Sequence, residues 1–234
     1  ERNESAKYAN VPIGNLEDMT FRAIRMLKEA DFILAEDTRN TGKLLKHYGI
    51  TTPMQPYHAH NEHKILPNLV EKIEQSKLVC LVTDAGSPGI SDPGFLLVRE
   101  CLKKQIEIDS LPGATAFVPA LAMSGLPTDK FYFEGFLPHQ KGRQKRFQFL
   151  AGLDCTLIIY ESPYRVIKSL EQMIEFLGAD TQVAASREIT KFYQETIRGT
   201  ATAVLAHFNT KEPKGEFVIV FRKNTNKGDS EKDQ

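Results

Sequence analysis

The sequence has only three cysteines, Cys80, Cys101 and Cys155, and no CxxC pair. That excludes the common zinc spacings and a disulfide framework, and an odd, unpaired set fits a reducing compartment. Cys80 and Cys155 sit in apolar runs and read as small core side chains. No stretch approaches the roughly 20 apolar residues that span a bilayer. The opening Glu1-Arg2-Asn3-Glu4-Ser5 has no apolar signal core. These absences predict a cytoplasmic protein without a membrane segment. An excess of charge is missing too: 30 Lys and Arg balance 30 Asp and Glu. A nucleic-acid coat protein would be strongly basic, so any RNA contact must come from a local patch. There is no GxxxxGK[ST] phosphate loop, no GxGxxG after a first strand and no GxSxG nucleophile elbow. His58, His60 and His63 are close in sequence but lack an HExxH or a nearby fourth ligand, so no metal is expected.

What is present is a globular composition, 41% hydrophobic and 26% charged, sufficient for a sizeable core. Short apolar runs alternate with amphipathic segments. Strands are predicted over 31–35, 78–83, 106–111, 131–136, 156–160, 182–185 and 216–221, and helices over 17–30, 63–75, 95–104 and 166–177. This alternation predicts an α/β protein with mostly parallel pairing in its first half, and the composition allows one large domain or two small ones. The run at 78–83 is continuously apolar, as expected when helices cover both faces of a sheet. A seam is placed after Phe136, where the chain turns polar, basic and broken by Pro and Gly. The expected division is a first domain at 1–136, a linker or basic helix at 137–152, a second domain at 153–223 and a disordered tail at 224–234.

The stretch Asp84-Ala85-Gly86-Ser87-Pro88-Gly89-Ile90-Ser91-Asp92-Pro93-Gly94 follows an apolar strand and precedes a helix. In open α/β sheets ligands bind at the carboxyl ends of strands. Its glycines let backbone approach a ligand closely and its prolines stiffen the loop. Pro112-Gly113-Ala114-Thr115 again follows a strand and opens a helix, whose first N–H groups are free to meet a carboxylate. Pro12-Ile13-Gly14-Asn15 precedes the first helix, where Asn15 is suited to capping. Glu36-Asp37-Thr38-Arg39, Tyr160-Glu161-Ser162 and Arg187-Glu188-Ile189-Thr190-Lys191 also lie at strand ends. The run His139, Lys141, Arg143, Lys145 and Arg146 could grip phosphates. Each motif alone also reads as an ordinary cap, turn or solvated helix face.

Taken in order, PIGNLEDMTFRA (12–23), AEDTRNTGKLL (35–45), DAGSPGISDPG (84–94), LPGATA (111–116), GLPTD (125–129), YESPYR (160–165), REITK (187–191) and KGEFV (214–218) resemble the ribosomal RNA small subunit methyltransferase I family, of the tetrapyrrole methylase superfamily. The resemblance covers nearly the whole chain. It implies two domains with S-adenosylmethionine bound in the cleft between them, a homodimer, and 2′-O-methylation of a cytidine ribose in the decoding region of small-subunit ribosomal RNA. By the same resemblance, Pro12, Ile13, Gly14, Asn15, Asp84, Ala85, Gly86, Ile90, Ser91, Asp92, Pro112, Gly113, Ala114 and Thr115 contact the donor, and Tyr160, Glu161 and Ser162 hold its adenine. Two departures stand out. Family members begin with an apolar strand, whereas Ser5-Ala6-Lys7-Tyr8-Ala9-Asn10-Val11 makes a poor one. Ser87 replaces a usual Thr and keeps the hydroxyl.

Methyl transfer to a ribose hydroxyl requires alignment of oxygen, carbon and sulfur, exclusion of water, and loss of a proton. Asp37, Glu161 and Glu188 are the candidate bases, and release of the proton to water stays open. Arg39, Arg187 and Lys191, together with His139, Lys141, Arg143, Lys145 and Arg146, are the candidate RNA contacts. Two other readings are a methyltransferase of the same fold acting on a tetrapyrrole or a protein side chain, and a non-catalytic ribosome assembly factor.

Overall fold

The structure, a computed structural model, describes residues 6–224. The tail expected to be disordered lies, from residue 225 onward, outside the described residues. These residues form two compact units that divide between Thr115 and Ala116.

The first unit carries five strands, β1 (Ala6–Tyr8), β2 (Phe32–Ala35), β3 (Met54–Pro56), β4 (Val79–Val82) and β5 (Ile108–Ser110). They form one parallel sheet in the order β3-β2-β4-β1-β5. The helices are α1 (Phe21–Glu29), α2 (Thr38–His47), α3 (Glu62–Glu74) and α4 (Phe95–Lys103). The chain runs from β1 outward past β4 to β2, but from β4 past β1 to β5. Right-handed crossovers in opposite directions put their helices on opposite faces. Accordingly Leu27 of α1 and Leu45 of α2 pack with Ile33, Cys80 and Val82, while Leu69 and Ile73 of α3 and Leu97 of α4 pack with Leu34 and Leu81. With both faces covered, β2 and β4 are buried at every residue.

The segment that makes a poor strand by sequence is nevertheless a central strand. Ala6 pairs with Val79 on one side and Ile108 on the other. Lys7 is the obstacle in the sequence pattern. Its side chain is fully buried, and its ammonium meets Asp109 Oδ2 of β5 at 3.1 Å. Asp109 also holds Arg22 of α1, at 2.8 Å. A carboxylate on the neighbouring strand thus supplies the partner that a buried ammonium needs. The helix expected over 17–30 is broken. A 3₁₀ turn covers Leu16–Asp18, and α1 starts afresh because the Thr20 hydroxyl accepts from the Ala23 N–H as its cap.

The second unit contains α5 (Phe117–Ala122), β6 (Phe131–Phe136), α6 (Arg143–Ala151), β7 (Thr156–Glu161), α7 (Val166–Leu177), β8 (Gln182–Arg187), β9 (Glu195–Thr200), α8 (Ala201–Thr210) and β10 (Phe217–Arg222). The sheet order is β6-β7-β10-β8-β9, with β6 and β7 parallel and the other pairs antiparallel. Its core gathers Phe147, Leu157, Ile159, Leu170, Met173, Phe208 and Phe221. β6, grouped by sequence with the first domain, is a strand of this second sheet. Parallel neighbours need a crossover connection, and the polar stretch after Phe136 supplies it: α6 is the crossover helix between β6 and β7. No helix among the described residues is long and apolar enough to cross a membrane.

Candidate active site

In a parallel sheet all carboxyl ends lie on one edge, and a crevice opens where adjacent strands send their chains to opposite faces. Here those strands are β1 and β4. The loops leaving them are tied directly together: Val11 N–H donates to Gly86 O and Gly86 N–H to Val11 O, both at 3.1 Å. Gly86 has φ +75°, a conformation glycine adopts without cost.

The loop after β5 joins them. Asn10 Nδ2 donates to Ser87 Oγ at 2.6 Å and to Ala114 O at 3.3 Å. Gly113 lies so close to Asn10 that an added Cβ would stand 2.5 Å from the Asn10 Cβ. At the far end of the 84–94 loop, the buried Tyr8 hydroxyl donates to Gly94 O at 2.5 Å. The segments 12–15, 84–92 and 112–115, singled out by sequence, therefore share one edge of the first unit. Asn10 was missed. Its signal was a lone polar side chain between buried Ala9 and Val11. Its Oδ1 is buried and accepts no hydrogen bond within the protein, an acceptor open to a ligand N–H or O–H.

Acidic groups line the neighbouring strand ends. Glu36 accepts from the Asp84 N–H at 3.1 Å, and Asn40 Nδ2 donates to Asp84 Oδ2 at 3.3 Å. Burial, then the Glu36 and Asp84 carboxylates, push Asp92 up to about 7. The preceding Ser91 has φ +62°, in the left-handed region that non-glycine residues rarely occupy. Asp37 caps α2 by accepting from the Arg39 N–H at 2.8 Å. The Arg39 guanidinium also bonds both its oxygens, at 3.0 and 2.6 Å, and lowers Asp37 to about 2.

In the second unit, Tyr160, Glu161 and Ser162 fall at the carboxyl end of β7. Tyr160 packs edge-on against Phe133 and Phe136. Glu161 is buried and fully engaged. Its Oε2 receives Arg143 Nη2 at 3.3 Å and Ser169 Oγ at 2.6 Å, and its Oε1 receives Arg165 Nε at 2.8 Å and the Ser162 N–H at 2.9 Å. Glu188 Oε1 accepts from Lys191 Nζ at 3.0 Å and the Glu216 N–H at 2.9 Å. Burial works to raise its pKa, but the Glu216 N–H and the Lys191 ammonium outweigh it and hold the carboxyl below the usual range. Both carboxylates thus serve as internal anchors.

The basic run separates into two kinds of residue. Arg143 is 2% exposed and points inward, donating to Gln172, Pro138 O, Ser169 and Glu161. It is not a surface cation, contrary to the sequence reading. Arg146 is held by Glu134, with Nε to Oε1 at 2.7 Å, and by the Tyr132 hydroxyl. His139, Lys141 and Lys145 remain at the surface. Arg187 pairs with Glu195 at 2.8 Å and Lys191 with Glu216 at 2.7 Å. Arg39 is highly exposed. No group of three His, Cys, Asp or Glu among the described residues could hold a metal ion.

The profile of the Tetrapyrrole (Corrin/Porphyrin) Methylases matches residues 9–205. The ribosomal RNA small subunit methyltransferase I of Synechocystis sp. is 48% identical over 210 residues, 89% of this chain and 75% of that protein. The protein of the same name from Thermotoga maritima is 43% identical over 209 residues, 89% of this chain and 94% of that protein. Among solved structures, a cobalt precorrin-4 methyltransferase superposes with a TM-score of 0.67 at 16% identity, over 94% of this chain and 96% of that one. A diphthine synthase gives 0.71 at 11% identity, over 93% and 89%.

Proposed function

Because this chain belongs to the tetrapyrrole methylase superfamily and, within it, to the ribosomal RNA small subunit methyltransferase I family, we propose that it methylates the 2′-oxygen of a cytidine ribose in the decoding region of small-subunit ribosomal RNA. The methyl donor is S-adenosylmethionine. The observation that carries the reading is the knot of loops at the carboxyl ends of β1, β4 and β5. It leaves one buried acceptor, Asn10 Oδ1, without a partner in the protein.

The residues present fit the donor. Asn10 Oδ1 suits its ammonium or a ribose hydroxyl, and the backbone of Gly86, Gly113 and Ala114 allows close approach. We assign the methionine and ribose parts to Pro12–Asn15, Asp84–Asp92 and Pro112–Thr115. The adenine is assigned to Tyr160, Ser162 and the backbone of Glu161, whose carboxylate is committed elsewhere. Once bound, the donor supplies a methyl group already activated on a positively charged sulfur.

The protein must align the ribose oxygen and manage its proton. Of the three candidate bases, Asp37 stands at the same strand edge as the donor loop, linked to it through Asn40 and Asp84. Held near pKa 2 by Arg39, it is always ionised at neutral pH but is a weak base. Its role is to accept the hydroxyl's hydrogen bond and orient the oxygen, while the proton passes to water. Arg39 of the first unit and the surface cations Lys141 and Lys145 of the second are assigned to RNA phosphates. The working protein is a cytoplasmic homodimer acting on the small ribosomal subunit.

The test is transfer of labelled methyl groups to small ribosomal subunits that lack their native methylation, followed by mapping of the modified atom. A label on a cytidine 2′-oxygen is the expected result. Donor binding without RNA labelling would redirect the assignment to a tetrapyrrole or protein acceptor.

A further inference from the structure

Tyr164 is 95% exposed. It sits in the 3₁₀ turn Pro163–Arg165, between the carboxyl end of β7 and α7. A single exposed ring is common on a protein surface and needs no explanation by itself; what distinguishes Tyr164 is the charge beside it. The loop between β6 and α6 packs on this turn: Arg165 Nη1 bonds His139 Nδ1 at 2.6 Å, and Arg143 reaches Pro138 O.

The charge around the turn is unbalanced. Arg143 and Arg165 share Glu161, and Arg146 has Glu134. Lys141 precedes α6, Lys145 lies on α6 and Lys168 on the first turn of α7; all three are exposed and none makes an ion pair among the described residues. Among the described residues of these elements, the carboxylates without an ion pair are Glu171 and Glu175 on α7, and of the two Glu171 lies nearer, one turn beyond Lys168.

The molecule contains its own control. Phe192 and Tyr193, 93% and 68% exposed, also form a bare aromatic pair. There carboxylates match the cations: Lys191 meets Glu188 and Glu216, Arg187 and Lys211 meet Glu195, and Lys214 lines the adjoining pocket together with Glu212. Of these two aromatic sites, the Tyr164 turn is the one that joins its ring to a surplus of unpaired ammonium groups. A flat ring flanked by uncompensated positive charge matches a polyanion with exposed π faces, which is single-stranded nucleic acid.

We propose that Tyr164 is a stacking platform for an unpaired RNA base, with Lys141, Lys145 and Lys168 holding the flanking phosphates. The inference rests on the RNA reading above and adds to it the place and form of the contact. It requires no sequence specificity at the ring, because every base offers a face.

The experiment uses the full chain and a labelled 12-nucleotide unstructured oligoribonucleotide, titrated at several salt concentrations, with small ribosomal subunits and S-adenosylmethionine titrated in parallel. Tyr164→Ala should weaken oligoribonucleotide binding on the order of tenfold or more with an unchanged salt slope, and Tyr164→Phe should restore it. Replacing Lys141, Lys145 and Lys168 by Ala should reduce the salt slope by about 2. The double variant Phe192→Ala, Tyr193→Ala should bind like wild type. Wild-type oligoribonucleotide affinity in Tyr164→Ala would overturn the platform alone. Loss of donor affinity in that variant would place Tyr164 in the donor pocket, and loss of subunit binding without loss of oligoribonucleotide binding would make it a protein contact; either overturns the proposal. Absence of RNA binding by the wild type itself would overturn both this inference and the reading it rests on.

Discussion

Lys7 and Asp109 form an ion pair at 3.1 Å between adjacent central strands, with the ammonium wholly buried and the carboxylate 37% exposed. The Lys7 side chain, joined by that of Arg22, holds the Asp109 carboxyl below the usual range. The two residues are not equivalent to mutation. Asp109→Ala leaves a buried charge without this partner and should cost about 2 kcal/mol, below the range for a fully buried pair because water reaches the carboxylate. Lys7→Met removes the charge and keeps the volume, so it should cost less. Urea unfolding of both variants decides this, and an equal or larger loss in Lys7→Met would show that the ammonium is a net stabiliser.

Asp92 makes stability depend on pH. Its carboxyl is raised from 3.8 to about 7, first by burial and then by Glu36 and Asp84. Between those values the folded protein binds more protons than the unfolded chain, so this group's contribution falls as pH rises from about 4 to about 7 and is flat above. Asp92→Asn should remove that slope. Thermal melts of both proteins across this window provide the check, and parallel curves would mean that Asp92 titrates normally.

Gly113 faces Asn10 too closely for any side chain. Gly113→Ala puts a methyl group 2.5 Å from the Asn10 Cβ and must displace it or the loop. An overpacking cost of about 1–3 kcal/mol is expected, together with a roughly tenfold or greater loss of S-adenosylmethionine affinity in calorimetric titration. Unaltered donor binding would remove Asn10 from the site.

Within one stretch of sequence, Arg143 and Lys141 should behave oppositely. Arg143→Ala takes one of its two guanidinium partners from the buried Glu161, which keeps Arg165, and should cost about 2–3 kcal/mol of stability, below the range for a buried charge left wholly unpaired. Lys141→Ala should leave stability within about 0.5 kcal/mol and weaken RNA binding more at low salt than at high. Denaturant unfolding beside RNA titration separates the two roles.

Asp37→Asn keeps a good helix cap but loses the ionised acceptor. Turnover should fall on the order of tenfold or more, the loss of a hydrogen bond to a charged acceptor, with donor affinity unchanged. A variant with full turnover would assign the proton to water without help from Asp37.

The parts of this architecture that were legible in the sequence are those whose physics is local. The strand Phe131–Phe136 and the helix Val166–Leu177 appear with the bounds expected, because an apolar run or a three-four spacing carries its own reason. The strand-end position of the 84–94 loop was legible because its glycines and prolines follow directly on an apolar strand. β1 was not, because the partner that makes Lys7 tolerable lies on a strand 102 residues away. α2 was missed because its sequence TRNTGKLLKH is polar and buries only Thr41 and Leu45. The inward turn of Arg143 had a faint signal: Arg143, Phe147 and Leu150 recur at helical spacing, and all three are buried. A run of charges shows that a segment is basic, but not which of its cations the fold turns inward.

The strand order also sets the order of assembly. β1 sits between β4 and β5, so its backbone can satisfy neither flank until residues 79–81 and 108–110 exist to pair with it. During synthesis it must wait, exposed, for about a hundred residues. A conventional Val- and Ile-rich strand held open that long would seek edges on other chains. The lysine that weakens β1 as a strand makes it a safer one to leave waiting, and Asp109 arrives with the last strand to neutralise it.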